Sequence, residues 1–198
     1  PQNPKTPWTK FYIIKEIKMN SIFGIVGDIR GVVVLDNEGK RIIAKYYNSV
    51  RTQLETNTSQ KAFERQLFLK SNKQSGTGNS SRSINSYEND IMNVENYVAV
   101  FRCYSDMSVF ILGTQDDNEL ILAQVLDCCH ECFDRIFNKQ IERKSLINKM
   151  SGVILVIDEL IDQGIVMNTD PKIILARVQA GKAKSAAELP GRMEAVQA

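Results

Sequence analysis

The sequence is poor in several things that would announce a chemistry. It holds one histidine, one tryptophan and five prolines, and its net charge is only +2 over 198 residues. No apolar run reaches the ~18–20 residues that a membrane span needs. Phe11–Ile14 is too short for the apolar core of a secretory leader, and no small-residue cleavage site comes after it. Four cysteines in a chain of this length do not make a disulfide scaffold, so reduced thiols of the cytosol or nucleus are expected. The little charge excess sits at the start, where Lys5, Lys10, Lys15 and Lys18 face only Glu16; the body is close to neutral. Nucleic acid and an anionic bilayer both need clustered Lys and Arg, so neither is expected as the primary partner.

What is present suits one packed domain. Hydrophobic residues make up 43% and charged residues 24%. The chain begins with Pro1 and its first methionine is Met19, so residues 1–18 are read as an extension or tag. The domain is expected over 19–180 and a flexible tail over 181–198. Ile29–Leu35 and Arg41–Tyr47, joined by the turn signal Asp36-Asn37-Glu38-Gly39, predict a β-hairpin. A helix capped by Thr58 or Ser59 runs to about Leu69. Residues 71–90, rich in Ser, Asn and Gly, read as a mobile insertion loop. Val94–Cys103 and Ser108–Gly113 predict a second hairpin around Ser105-Asp106-Met107.

From Asp117 the period becomes helical, with Asp116 or Asp117 as the cap. Ile121, Leu122, Val125, Cys129, Cys132, Phe133 and Ile136 share one face. Ile141–Ile161 predicts one long helix stopping at Gly164. Thr169-Asp170-Pro171 starts a short helix to Gln179, closed by Gly181. Grouped strands and helices make this an α+β domain, an antiparallel sheet covered by helices.

Four groups of residues invite a chemical reading. Cys128, Cys129, His130 and Cys132 are metal-ligand types, but on a helix Cys129 and His130 lie about 100° apart and His130 and Cys132 about 160°, so one ion does not reach all four. Cys129 and Cys132 lie on the apolar face, where thiols act as small hydrophobes. His130 has no located serine or cysteine partner for nucleophilic catalysis. Gly24, Gly27 and Gly31 lack the spacing of a phosphate loop and precede a strand. Asp158, Glu159 and Asp162 diverge around a helix end and read as a solvated face or partner contact. No catalytic, cofactor or metal site is expected, and the pattern points to an interaction module. The rival from another class is a small cysteine-dependent enzyme working near His130.

The stretch V-L-D-N-E-G-K-R-I-I-A-K-Y-Y, residues 34–47, resembles the opening of the coatomer zeta family, the small chains of the COPI vesicle coat. Gln60-Lys61-Ala62-Phe63-Glu64 resembles that family's first helix. Asp117-Asn118-Glu119-Leu120-Ile121-Leu122 with Val125-Leu126 resembles its second. Met150-Ser151-Gly152, Asp158-Glu159, Asp162-x-Gly164-Ile165-Val166 and Asp170-Pro171 resemble its third and fourth, and the blocks come in family order. The resemblance implies a longin-like (SNARE-like) domain with a five-stranded antiparallel sheet.

It also implies a non-enzymatic coat subunit without cofactors, bound to the gamma subunit, with beta and delta subunits in the same coat. An Arf-family GTPase would recruit the assembly to Golgi membrane, so membrane contact is indirect. The place implied is cytoplasmic, peripheral on the Golgi and COPI vesicles, and the process is retrograde Golgi-to-ER and intra-Golgi transport. Sigma chains of clathrin adaptors share the fold and are the alternative. Their strand ending of lysine, tryptophan and tyrosine is Lys45-Tyr46-Tyr47 here, and their dileucine pocket would fall on the polar Ser105 and His130, so that pocket is not carried over. The partner interface is expected among aromatics the core does not need: Tyr46 or Tyr47, on opposite strand faces, and Phe63 or Phe68, about 140° apart on a helix.

Overall fold

The structure is a computed structural model describing residues 29–47, 54, 56–76 and 88–187. The expected extension 1–18 lies outside the described residues, as do 77–87 of the expected loop and 188–198 of the tail.

The first hairpin forms where the turn chemistry puts it. β1 is Gly31–Asp36 and β2 is Arg41–Tyr46. The Asp36 carboxylate accepts the N–H groups of Glu38 and Lys40, each at 2.9 Å, and Gly39 supplies the left-handed corner at φ 76°. The register runs Val34 to Ile43 and then Leu35 to Arg41, so Ile42 is the extra residue of a bulge. α1 spans Asn57–Gly76. Its cap is Thr56, whose Oγ1 accepts the Ser59 N–H at 3.2 Å; Thr58 and Ser59 lie inside the first turn. Residues 71–76, expected in the loop, are the last turns of this helix.

The predicted strand 94–103 forms over Tyr97–Cys103, and a strand that was not expected precedes it, overlapping the prediction at Val94 alone. β3 (Asp90–Val94) and β4 (Tyr97–Cys103) form a hairpin of their own, turning at Glu95 with φ 54°. β5 (Met107–Thr114) pairs with both β4 and β1, giving the order β2-β1-β5-β4-β3, antiparallel throughout.

α2 (Glu119–Ile136) is capped by Asn118, whose side chain accepts the Leu120 N–H at 2.9 Å. Asp117 turns back to Thr114 instead, taking its N–H and hydroxyl. The predicted long helix 141–161 breaks at Lys149 (φ −115°) into α3 (Arg143–Asn148) and α4 (Met150–Leu160). Gly164 does not end a helix. With Gln163 it makes a two-residue turn, both at positive φ, between β6 (Ile161–Asp162) and β7 (Ile165–Val166). α5 (Pro171–Ala187) starts on Asp170, which accepts the Lys172 N–H, and runs through Gly181, where the sequence predicted a stop.

The sheet separates two cores. Val32, Val34, Val100, Val109 and Ile111 face α2, α4 and α5. Val33, Leu35, Ala99, Phe101, Phe110 and Leu112 face α1. This is the alternation a sheet covered on both sides requires. β3 forms one edge. α1 closes it with side chains: Lys70 Nζ reaches the Asn93 carbonyl at 2.9 Å and Gln74 Nε2 the Ile91 carbonyl at 3.2 Å.

Candidate partner-binding surface

The groups that invited a catalytic reading are occupied by the fold. Cys128, Cys129 and Cys132 are buried inside α2. Burial pushes the Cys129 thiol up to about 12. A hydrogen bond to Cys132, then burial, raises Cys128 as well. The Cys128 and Cys129 thiols hold their protons, the opposite of what a nucleophile needs. His130 Nδ1 lies 3.1 Å from the Tyr104 hydroxyl, and burial with the nearby Arg102 lowers its pKa. Asp158 pairs with Lys45 on β2 at 2.6 Å, while Glu159 pairs with Arg177 on α5 at 3.3 Å. The two carboxylates therefore serve different neighbours. Gly31 is a strand residue packed under Tyr46; Gly24 and Gly27 lie outside the described residues.

The four aromatics separate cleanly. Phe63 is buried and meets Tyr97 edge-on, with ring centroids 5.3 Å apart. Tyr47 is buried on the opposite side of the sheet, its hydroxyl 3.5 Å from the Ile161 carbonyl and Lys45 Nζ 5.1 Å from its ring. Tyr46 is half-buried towards α1 and donates to Glu64 Oε1 at 2.8 Å. Phe68 is half-buried beside Gly39. Tyr46 and Tyr47 do point to opposite faces, but both faces are covered, so both enter packing.

Glu64 organises this region. Its carboxylate is 3% exposed by residue and takes both Arg41 Nε at 2.9 Å and a second guanidinium nitrogen at 2.7 Å. With the Tyr46 hydroxyl, this ties the edge strand β2 to α1 by a two-pronged, charge-assisted contact. Burial, with the Glu64 charge and hydrogen bond, raises the Tyr46 pKa, so its hydroxyl stays a donor.

Beside the tie, between the β1–β2 turn and α1, lies an open groove of about 900 Å³. Phe68 and Leu69, with the small Ala62, supply its apolar lining, and Leu69 is 49% exposed. Lys61 and Arg65 stand on its wall, one helical turn apart. The sequence reading missed Lys61, Arg65 and Leu69. The signal was available: two cations at i and i+4, with Phe-Leu close behind them.

Residues 28–185 match the family described as clathrin adaptor complex small chain. The chain is 34% identical over 150 residues to coatomer subunit zeta-3 of Oryza sativa subsp. japonica, covering 76% of this chain and 78% of that one. It is 32% identical over 155 residues to coatomer subunit zeta-1 of Arabidopsis thaliana, covering 78% of each. Against coatomer subunit zeta-1 of Homo sapiens the figure is 28% over 150 residues, covering 76% of each. Among solved structures, a chain of a homology model of the full-length AP-3 complex in a stretched open conformation superposes with a TM-score of 0.56. That match is 20% identical and covers 81% of this chain and 97% of that one; it speaks for the fold.

Proposed function

Because the chain belongs to the clathrin adaptor complex small chain family, in its coatomer zeta branch, we propose that it is the small, non-enzymatic subunit of a COPI coat. The large gamma subunit holds it, and beta and delta subunits complete that part of the coat. An Arf-family GTPase recruits the assembly to Golgi membrane for retrograde transport to the endoplasmic reticulum. The chain works on the cytosolic side and touches the membrane only through its partners. Among the described residues no helix is long and apolar enough to cross a membrane.

The observation that carries this reading is similarity to coatomer zeta chains over about three-quarters of the chain. The α1–β2 side is the proposed place of contact. There Phe68 and the rim of Tyr46 are the accessible aromatics, with Phe63 as the packing behind them, while Tyr47 lies on the opposite face of the sheet. An obligate interface of ~2,000–5,000 Å² would extend well beyond these four.

The test is capture of the full chain from cytosol at moderate salt, with mass spectrometry of what co-purifies. Stoichiometric gamma with beta and delta supports the assignment. Adaptin large chains in their place would move the protein to the clathrin adaptors, and recovery of the chain alone would overturn the subunit reading.

A further inference from the structure

We propose that the groove between the β1–β2 turn and α1 receives an acidic segment of the large partner chain, anchored by an apolar side chain laid against Phe68 and Leu69. The inference rests on the subunit reading and adds the chemistry of the contact.

The charges of the groove do not cancel. Of its cations, Arg41 is consumed by the buried Glu64, and Lys40 pairs with Glu38. Lys61 and Arg65 have no ion pair among the described residues. They are exposed and share a face of α1, so they repel each other and gain from an anion placed between them. Glu64 is near but offers them little, because Arg41 and Tyr46 already take both its oxygens.

The apolar half lies directly C-terminal on the same helix. Leu69 is half-exposed, and Phe68 is half-buried, packed close against Gly39 while still lining the groove. A Cβ at position 39 would fall 2.8 Å from the Phe68 ring, so the turn can sit this close to the groove floor only with glycine there. The volume of about 900 Å³ admits a large side chain together with the backbone that carries it. Two cations without an ion pair among the described residues, beside an apolar floor and on a body without net basic charge, fit an acidic peptide rather than a nucleic acid or a bilayer.

The experiment uses the full chain co-expressed with the gamma chain, read by capture and by hydrogen exchange of the complex. The test variant is Lys61→Glu with Arg65→Glu. The control is Lys139→Glu with Lys172→Glu, an equal charge change at positions outside α1. Circular dichroism melts check that each variant folds.

The expected result is at least a tenfold loss of gamma capture for the test pair, with the control within twofold of wild type. Amides of 61–69 should gain protection in the wild-type complex. Leu69→Asp, at an exposed position, should weaken capture without altering the melt. Wild-type capture matched by the Lys61/Arg65 reversal, with no protection over 61–69, would overturn the groove and leave the subunit reading standing. A wild-type chain that captures no gamma at all would overturn both, and the wild-type lane tells the two failures apart.

Discussion

On one side of the sheet a single helix brings Phe63 against three buried rings of the strands, Tyr97, Phe101 and Phe110; on the other, α2, α4 and α5 lay mainly aliphatic and thiol side chains against valines and isoleucines, with Tyr47, Phe133 and Phe137 the rings among them. The difference follows from width. Five strands spaced ~4.8 Å apart make a sheet about 24 Å across, and one helix with its side chains covers only about 10–12 Å of it. Three helices suffice for the second face. One does not suffice for the first, and the remainder is made good with large rings and with polar ties from α1 to both edge strands: Glu64 to Arg41 and Tyr46, Lys70 and Gln74 to β3. The groove over Phe68 is what those ties leave uncovered. The less completely covered face is the one on which the proposed contact lies.

Substitutions can break this comparison, and the largest effect should come from the rings. Phe110 is fully buried and stacks on Phe101 with centroids 5.4 Å apart. Phe110→Ala should cost about 3–5 kcal/mol in urea unfolding, and more than Phe133→Ala, the same truncation on the helix-rich face. Equal losses for these two buried rings would show that the rings of the singly covered face do not compensate for the missing helices.

Next comes the ionic tie. Glu64→Ala leaves Arg41, itself partly exposed, without its acid, and should cost about 3 kcal/mol. Replacing both partners by methionine should restore most of that, a double-mutant cycle that separates the pair from its burial. Gly39→Ala forces a side chain into a left-handed corner and against the Phe68 ring, for a loss of about 1–2 kcal/mol.

The smallest effect belongs to His130 on the other face. Its pKa is lowered in the folded protein, so the unfolded chain binds the proton more readily. Stability is full above the unfolded value of 6.5 and falls as pH drops through it towards the folded value. A pH series of unfolding free energies on wild type and His130→Asn should show that slope shrink in the variant.

Much of the fold was legible because local chemistry and tertiary structure agreed. Asp36 to Gly39 encode a turn whatever surrounds them, and Leu122 to Phe133 repeat with a helical period that the packing then uses. The errors lie where one residue had two plausible uses. β3 was hidden because only Met92 and Val94 of its five residues are buried, inside a polar stretch. Glu95, a residue with no special turn preference, takes the positive φ that splits β3 from β4. Gly164 is suited equally to ending a helix and to turning a hairpin, and only the pairing of Ile161 with Val166 decides between them. The site was legible in part for a similar reason. Helical spacing separates Phe63 from Phe68, but neither spacing nor composition reveals that Arg41 is spoken for by Glu64 while Lys61 and Arg65 have no ion pair among the described residues.

The strand order also sets a timetable. β1 lies between β2, its immediate neighbour in the chain, and β5, whose Val109 meets Val34. A ribosome adding ~5–20 residues per second makes those two valines roughly 4–15 s apart. Through that interval the six residues of β1, all buried in the finished protein, have one native neighbour and one open flank. Nascent chains should thus pass through a stage in which the first hairpin exists without its sheet, and that stage is when a holding chaperone has most to protect.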